Sequence, residues 1–222
     1  MYASGCPLHV ITVGADMIYS QICCFTGRGV ELKVMPWDYD FSPASEEPFD
    51  GLFLSSDHGD PTTIQVSIGH VRGAMHKAER PILCVCLGHQ LMALAASVQT
   101  SKMKYRNLSY TTTCTDTVGR RCYTTSQNHD FQVGTTTSNK LEGVFYPGST
   151  PGPRDTKFLF DVFVKNIIED CVSTDTLAPT SLPGGEKEDN ENSLSTGQAG
   201  EFNYAGSQAI KALKEEGIIP SL

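Results

Sequence analysis

From the N-terminus to about Ile168, short runs of β-branched and apolar residues alternate with amphipathic stretches, and no other feature constrains the fold as strongly. The alternation predicts βαβ units, and so an α/β architecture with an open, mostly parallel sheet flanked by helices. His9 to Val13 reads as a buried strand. Met17 to Thr26 reads as a helix stopped by Gly27 and Gly29, and Glu31 to Met35 as the next strand. Gly51 to Ser55 is a third strand, followed by a polar turn and a helix from about Thr62 to Ala78. Pro81 to Val85 is the most apolar run and is expected at the sheet centre, with a helix beginning near Gly88.

Between Lys102 and Val133 the helical period disappears. Tyr110 to Thr115 and Cys122 to Ser126 flank Thr117-Val118-Gly119-Arg120, as in an antiparallel hairpin laid beside the parallel sheet. Helical periodicity returns over Asp155 to Ile168. From Glu169 to Thr196 the chain is rich in Ser, Thr, Pro and Gly and carries the polar run Glu186 to Asn192, too little apolar surface to offset ordering entropy. The expected division is a domain over 1–168, a disordered linker over 169–196 and a terminal piece over 197–222, in which Ala205 to Glu216 forms a short C-terminal helix closed by Gly217.

Charge and cysteine usage narrow the function classes. Basic residues number 17 against 25 acidic ones, a net charge of −8, which excludes a nucleic-acid module run by bulk positive charge, since such modules need a basic face to neutralise phosphates. No apolar run is long enough to span a bilayer, and the first residues lack the charged and apolar regions of a secretory leader. A soluble, cytoplasmic protein with no membrane partner is expected. Five of the eight cysteines, Cys23, Cys24, Cys84, Cys86 and Cys122, sit in apolar segments where Cys packs as a small hydrophobe. Without CxxC or Cys/His ligand spacing, neither a metal nor another cofactor is expected.

Chemistry concentrates in Val85-Cys86-Leu87-Gly88-His89-Gln90. A cysteine between an apolar strand and a glycine-started helix has the pattern of a nucleophile elbow. A thiol there faces the positive end of a helix, which favours thiolate, and turn N–H groups can hold an oxyanion. On the residues alone a plain packing cysteine stays open, since most cysteines in apolar strands are packing residues.

Cys86-Leu87-Gly88-His89-Gln90 resembles the nucleophile motif of class I glutamine amidotransferases. Pro36 to Asp40, Asp50 to Ser55, Gly59-Asp60-Pro61, Lys102 to Tyr105, Ser126 to His129 and Thr150 to Thr156 narrow the likeness to the amidotransferase portion of glutamine-dependent carbamoyl-phosphate synthetases. Ser195 to Phe202, continuing to Leu213, is similar to the opening of the synthetase's large portion, in the order of the fused pyrimidine-pathway enzymes. The resemblance implies that a cysteine thiolate attacks the side-chain amide of glutamine, that a His moves the proton and a Glu orients it, and that ammonia passes to the synthetase. It assigns Cys86 as nucleophile, Leu87 as an oxyanion N–H, Gln90 as a glutamine contact, and Gly59, Asn128 and Phe131 as further glutamine-binding positions. L-glutamine and a synthetase large portion are the implied partners.

The chain also departs from that pattern. Where the resemblance places the triad His and Glu, it reads Phe145-Tyr146-Pro147-Gly148, so Tyr146 and Gly148 occupy those positions. A tyrosine with an ordinary pKa of about 10 cannot replace a base poised near 7. Losing a triad member costs on the order of 10⁴ to 10⁶ in rate. Asp57 and Asp130 stand at glycine positions beside the glutamine site, where the Asp57 carboxylate would raise the pKa of a nearby thiol. Cys84 stands at a third glycine position. The stretch between Val133 and Phe145 is about twenty-five residues shorter than the resemblance implies, which predicts missing strands and an exposed sheet edge. His58, His89 and His129 offer substitute bases or are loop histidines. The expected function is therefore a carbamoyl-phosphate synthetase amidotransferase domain with impaired glutamine hydrolysis. The alternatives are an inactive glutamine-binding or synthetase-docking pseudoenzyme, and a truncated product.

Overall fold

The computed structural model describes residues 7–14, 19–41, 48–57, 59–77, 80–115, 121–134 and 155–175. Four parallel strands form the main sheet: β1 (Leu8–Val13), β2 (Val30–Met35), β3 (Gly51–Leu54) and β4 (Ile82–Cys84), in the order β2-β1-β3-β4. Helices α1 (Tyr19–Thr26), α2 (Gln65–Lys77) and α3 (Leu87–Ala95) follow β1, β3 and β4. Gly29 closes the turn after α1 at φ +72, a conformation in which a Cβ would crowd its own backbone.

Because side chains alternate across a strand, each strand feeds two cores. On one face Ile11, Val13, Leu52, Leu54 and Ile82 pack with Ile68, Val71 and Met75 of α2 and Leu87, Leu91 and Met92 of α3. On the other, Val10, Phe53 and Leu83 pack with Phe25 of α1 and Phe160, Phe163 and Ile167 of α4 (Phe158–Asp175). Phe25 is the hub of the second core, edge-on to Phe53 at 5.0 Å and to Phe160 at 5.1 Å. With both faces covered, the strands read as continuous apolar runs.

That explains one correction. β4 is an edge strand of the described sheet, hydrogen-bonded to β3 alone, and not the central strand its composition suggested. Apolarity reports coverage above and below a strand, which β4 has, and says nothing of lateral neighbours.

The hairpin is longer than expected and forms its own sheet. β5 (Thr100–Thr115) and β6 (Cys122–Val133) pair antiparallel, with Lys102 opposite Phe131 and Thr115 opposite Cys122, and register shifts after Lys102 and Ser109. The helix expected to end at Ile168 continues through Asp175. Its extension looks polar in sequence, yet Ile168 and Cys171 pack on the second core while Asp170 pairs with Arg80 at 3.4 Å and Glu169 with Lys165 at 3.5 Å. Cys24 and Cys86 are buried as packing cysteines should be, whereas Cys23 and Cys122 are exposed. Residues 15–18, the remainder of the expected linker and the C-terminal helix at 205–216 lie outside the described residues. Among those described, no helix is long and apolar enough to cross a membrane.

Candidate active site

The site forms where β4 turns into α3. Cys86 is the residue before the helix and takes φ 49, ψ −112, one of two non-glycine residues with positive φ among those described. Such a backbone costs of order 1–3 kcal/mol for a residue with a Cβ, and persists only where the surroundings impose it. Here they do. The Val85 N–H donates to the Leu54 carbonyl at 3.0 Å, and the Gln90 N–H donates to the Cys86 carbonyl at 3.2 Å. A Cβ on Gly88 would run into that same Leu54 carbonyl, so only glycine lets the first turn of α3 sit this close to β3.

The Cys86 sulfur is buried, at the positive end of α3 and 4.0 Å from the Asn128 carbonyl oxygen on β6. Its neighbour Cys84 is a poor rival. Burial pushes the Cys84 thiol far above the ordinary thiol range, and its sulfur lies 3.4 Å from that of Met92. Of Cys84 and Cys86, only Cys86 combines helix-end placement with elbow geometry.

Gln90 links α3 to β6, the strand that carries Asn128 and Phe131. Gln90 Nε2 donates to the Phe131 carbonyl at 2.9 Å, tying α3 to β6. Arg106 on β5 donates to Asn128 Oδ1, and its Nε lies 3.9 Å from an Asp130 carboxylate oxygen. Leu87, the first residue of α3, keeps its N–H among the donors that a helix start leaves unsatisfied. Gly59 takes φ +130 on the loop after β3, a backbone that explains glycine there. Two residues before it, Asp57 lines an apolar pocket at the carboxyl ends of β1 and β3, walled by Val13, Trp37, Phe41, Leu54, Leu87 and Leu91. Ligands of open α/β sheets bind at such strand ends.

The substitute bases fare unevenly. His129 is built into the ribbon: Nδ1 lies 2.8 Å from the Phe131 carbonyl oxygen, and Nε2 lies 2.9 Å from Gln127 Oε1. Both ring nitrogens are thus engaged within the ribbon. His89 is buried in the first turn of α3. His58, Tyr146 and Gly148 lie outside the described residues. Among the described residues no three His, Cys, Asp or Glu side chains group as a metal set.

One residue of the site escaped the sequence reading. Gln21 on α1 is fully buried and reaches the loop after β3, accepting from Ser55 Oγ at 2.9 Å and facing Ser56 Oγ at 3.4 Å. The available signal was a polar residue on the helical stripe it shares with Cys24 and Phe25.

Residues 9–145 match the family of class-I glutamine amidotransferases. Over 98% of its length the chain is 42% identical to the multifunctional protein pyr-3 of Neurospora crassa and covers 14% of that protein. Against the multifunctional protein URA2 of Saccharomyces cerevisiae the identity is 42%, covering 96% of this chain and 11% of the relative. The arginine-specific small chain of carbamoyl phosphate synthase from Aspergillus niger is 31% identical over 72% of this chain and 41% of its own. The chain therefore spans a small fraction of the multifunctional relatives it matches. The Neurospora alignment runs over 259 positions, more than the 222 residues present, so this chain lacks residues that the relative has within the matched region. Among solved structures, one described as a GMP synthase protein of Thermoplasma acidophilum superposes with a TM-score of 0.56 at 22% identity, covering 77% of this chain and 97% of that one, which shows the fold.

Proposed function

We propose that this chain, which belongs to the class I glutamine amidotransferase family, is the glutamine-handling domain of a carbamoyl-phosphate synthetase of the multifunctional kind, with Cys86 as nucleophile and turnover severely impaired. The Cys86 elbow carries the reading: a left-handed, buried cysteine at a helix start, with Asn128 and Gln90 gathered around it. The Cys86 sulfur attacks the side-chain carbonyl carbon of glutamine, and the tetrahedral oxygen is held by N–H groups at the turn, Leu87 among them. Collapse breaks the C–N bond and the nitrogen leaves as ammonia once it has gained a proton. Water then hydrolyses the thioester to glutamate and restores the thiol.

The weak step is the proton. Tyr146 and Gly148 stand where the resemblance places the triad His and Glu, and His129 is bonded within the ribbon, so this reading assigns slow activation of the thiol and slow protonation of the leaving nitrogen. A second reading, an inactive module that binds glutamine weakly or docks on a synthetase, is favoured by one observation. The Asn128 side chain is already held by Arg106, and the Phe131 carbonyl by Gln90 and His129.

Glutamate release measured beside a Cys86→Ala control tests the enzymatic reading. A slow rate abolished by Cys86→Ala supports it, and equal rates refute it. Labelling at Cys86 by 6-diazo-5-oxo-L-norleucine without turnover would favour the inactive module.

A further inference from the structure

We propose that Gln21 is a positioning residue for the site, acting through Ser55 and Ser56 to hold the loop after β3 against the Cys86 elbow; this rests on the amidotransferase reading above. Gln21 is fully buried on α1, in an apolar layer with Cys24 and Phe25. Burying an amide there is costly unless it is bonded, and its two partners are the hydroxyls of two successive buried residues, Ser55 and Ser56. The Ser55 hydroxyl donates to Oε1, and Nε2 faces the Ser56 oxygen. One side chain thus reads two consecutive loop positions, fixing the loop's path as well as its height.

From the opposite side β1 closes the clamp. Ser55 N–H donates to the Val13 carbonyl at 3.0 Å, and a Cβ on Gly14 would lie 2.8 Å from Ser55 Cβ. The clamped loop is continuous with Leu54, whose carbonyl accepts from Val85 and sits against Gly88, two residues that flank Cys86. It is equally continuous with Asp57 on the pocket wall and with Gly59 beyond. A displacement at Ser55 and Ser56 therefore shifts the wall that a substrate must meet while it is attacked from Cys86. Misplacement of about 1 Å remote from the chemistry costs about 10²-fold in rate.

The test separates positioning from stability. Gln21→Met keeps the length and volume of the side chain but removes both bonds. The triple variant Gln21→Met, Ser55→Ala, Ser56→Ala also removes the hydroxyls that the single change strands, so the fold regains stability without regaining the clamp. In the full chain, Cys86 labelling by 6-diazo-5-oxo-L-norleucine is expected to slow about 10²-fold in both variants. Iodoacetamide labelling, which needs no substrate wall, should stay near the wild-type rate in the triple variant. The thermal midpoint should fall in the single variant and recover in the triple one. Labelling by the analogue that recovers along with the midpoint, or that never changes, would overturn the proposal. If the wild-type chain resists the analogue, the amidotransferase reading fails, and amide exchange over Ser55 to Asp57 decides the clamp. Exchange about tenfold faster in both variants supports it, and unchanged protection overturns it.

Discussion

At Cys86 the chain carries backbone strain that serves no packing purpose, because an ordinary core cysteine has no need of φ 49. Glycine adopts that conformation without penalty and is well tolerated before a helix. Cys86→Gly is therefore expected to be more stable than Cys86→Ala by about 1 kcal/mol in denaturant melts, opposite to the order found at a helix interior. Gly88 argues from contact. Adding a Cβ puts it 2.7 Å from both the carbonyl carbon and the Cβ of Leu54, so Gly88→Ala should lose about 1–3 kcal/mol and loosen the elbow. A calorimetric midpoint unchanged by that substitution would show that α3 does not rest on β3 as described. At this scale much was legible. A cysteine between an apolar strand and a glycine-started helix announces its own geometry, because the chain makes the turn locally. Gln21 did not announce itself, since its partners lie 34 and 35 residues away and nothing in its own neighbourhood requires a polar side chain.

Elements here are tied by specific end-to-end contacts. Asp60 caps the 3₁₀ turn that leads into α2: its carboxylate accepts from Thr62 N–H at 2.9 Å and Thr62 Oγ1 at 2.6 Å, and these bonds hold its pKa below the usual carboxylate range. A carboxyl lowered on folding stabilises the fold fully above its unfolded pKa of about 3.9, and that stabilisation fades as pH falls through the lower folded value. Wild type should thus exceed Asp60→Ala in stability at neutral pH, with the gap narrowing below about pH 4. A gap independent of pH would mean that the cap does not depend on charge. Two elements were misread for physical reasons. β4 was expected at the sheet centre because its residues are covered on both faces, a property that composition reports and strand order does not. α4 runs to Asp175 because Ile168 and Cys171 continue its buried stripe, while Glu169 and Asp170 satisfy their charges across its exposed side.

The described residues form a parallel sheet with a core on each face, and the pocket opens at the carboxyl ends of β1 and β3 among residues of the first core. α4 closes the second core, with Phe160 fully buried between Phe25 and Phe53. Phe160→Ala should cost about 3–5 kcal/mol, and because Phe53 belongs to β3 and Phe25 packs on it from α1, the loss should appear as one cooperative transition moved to lower temperature. Two separate transitions would mean that the cores melt independently. The α/β class and the sheet's parallel character followed from the alternation of apolar runs and amphipathic stretches. The antiparallel hairpin beside the sheet followed too, but the length of the β5–β6 ribbon did not, because polar and β-branched residues mark a half-exposed strand without marking its ends. In the proposed function the Cys86 elbow works beside Tyr146 and Gly148, which the resemblance places where the triad His and Glu would stand. The most direct measurement is the glutamate-release rate of the wild-type chain, of Tyr146→His with Gly148→Glu, and of that pair carrying Cys86→Ala. Expected are a wild-type rate close to background, a gain of about 10²-fold or more on restoring the pair, and loss of that gain with Cys86→Ala. A restored pair no faster than wild type, or a gain that persists without Cys86, would contradict the proposed function.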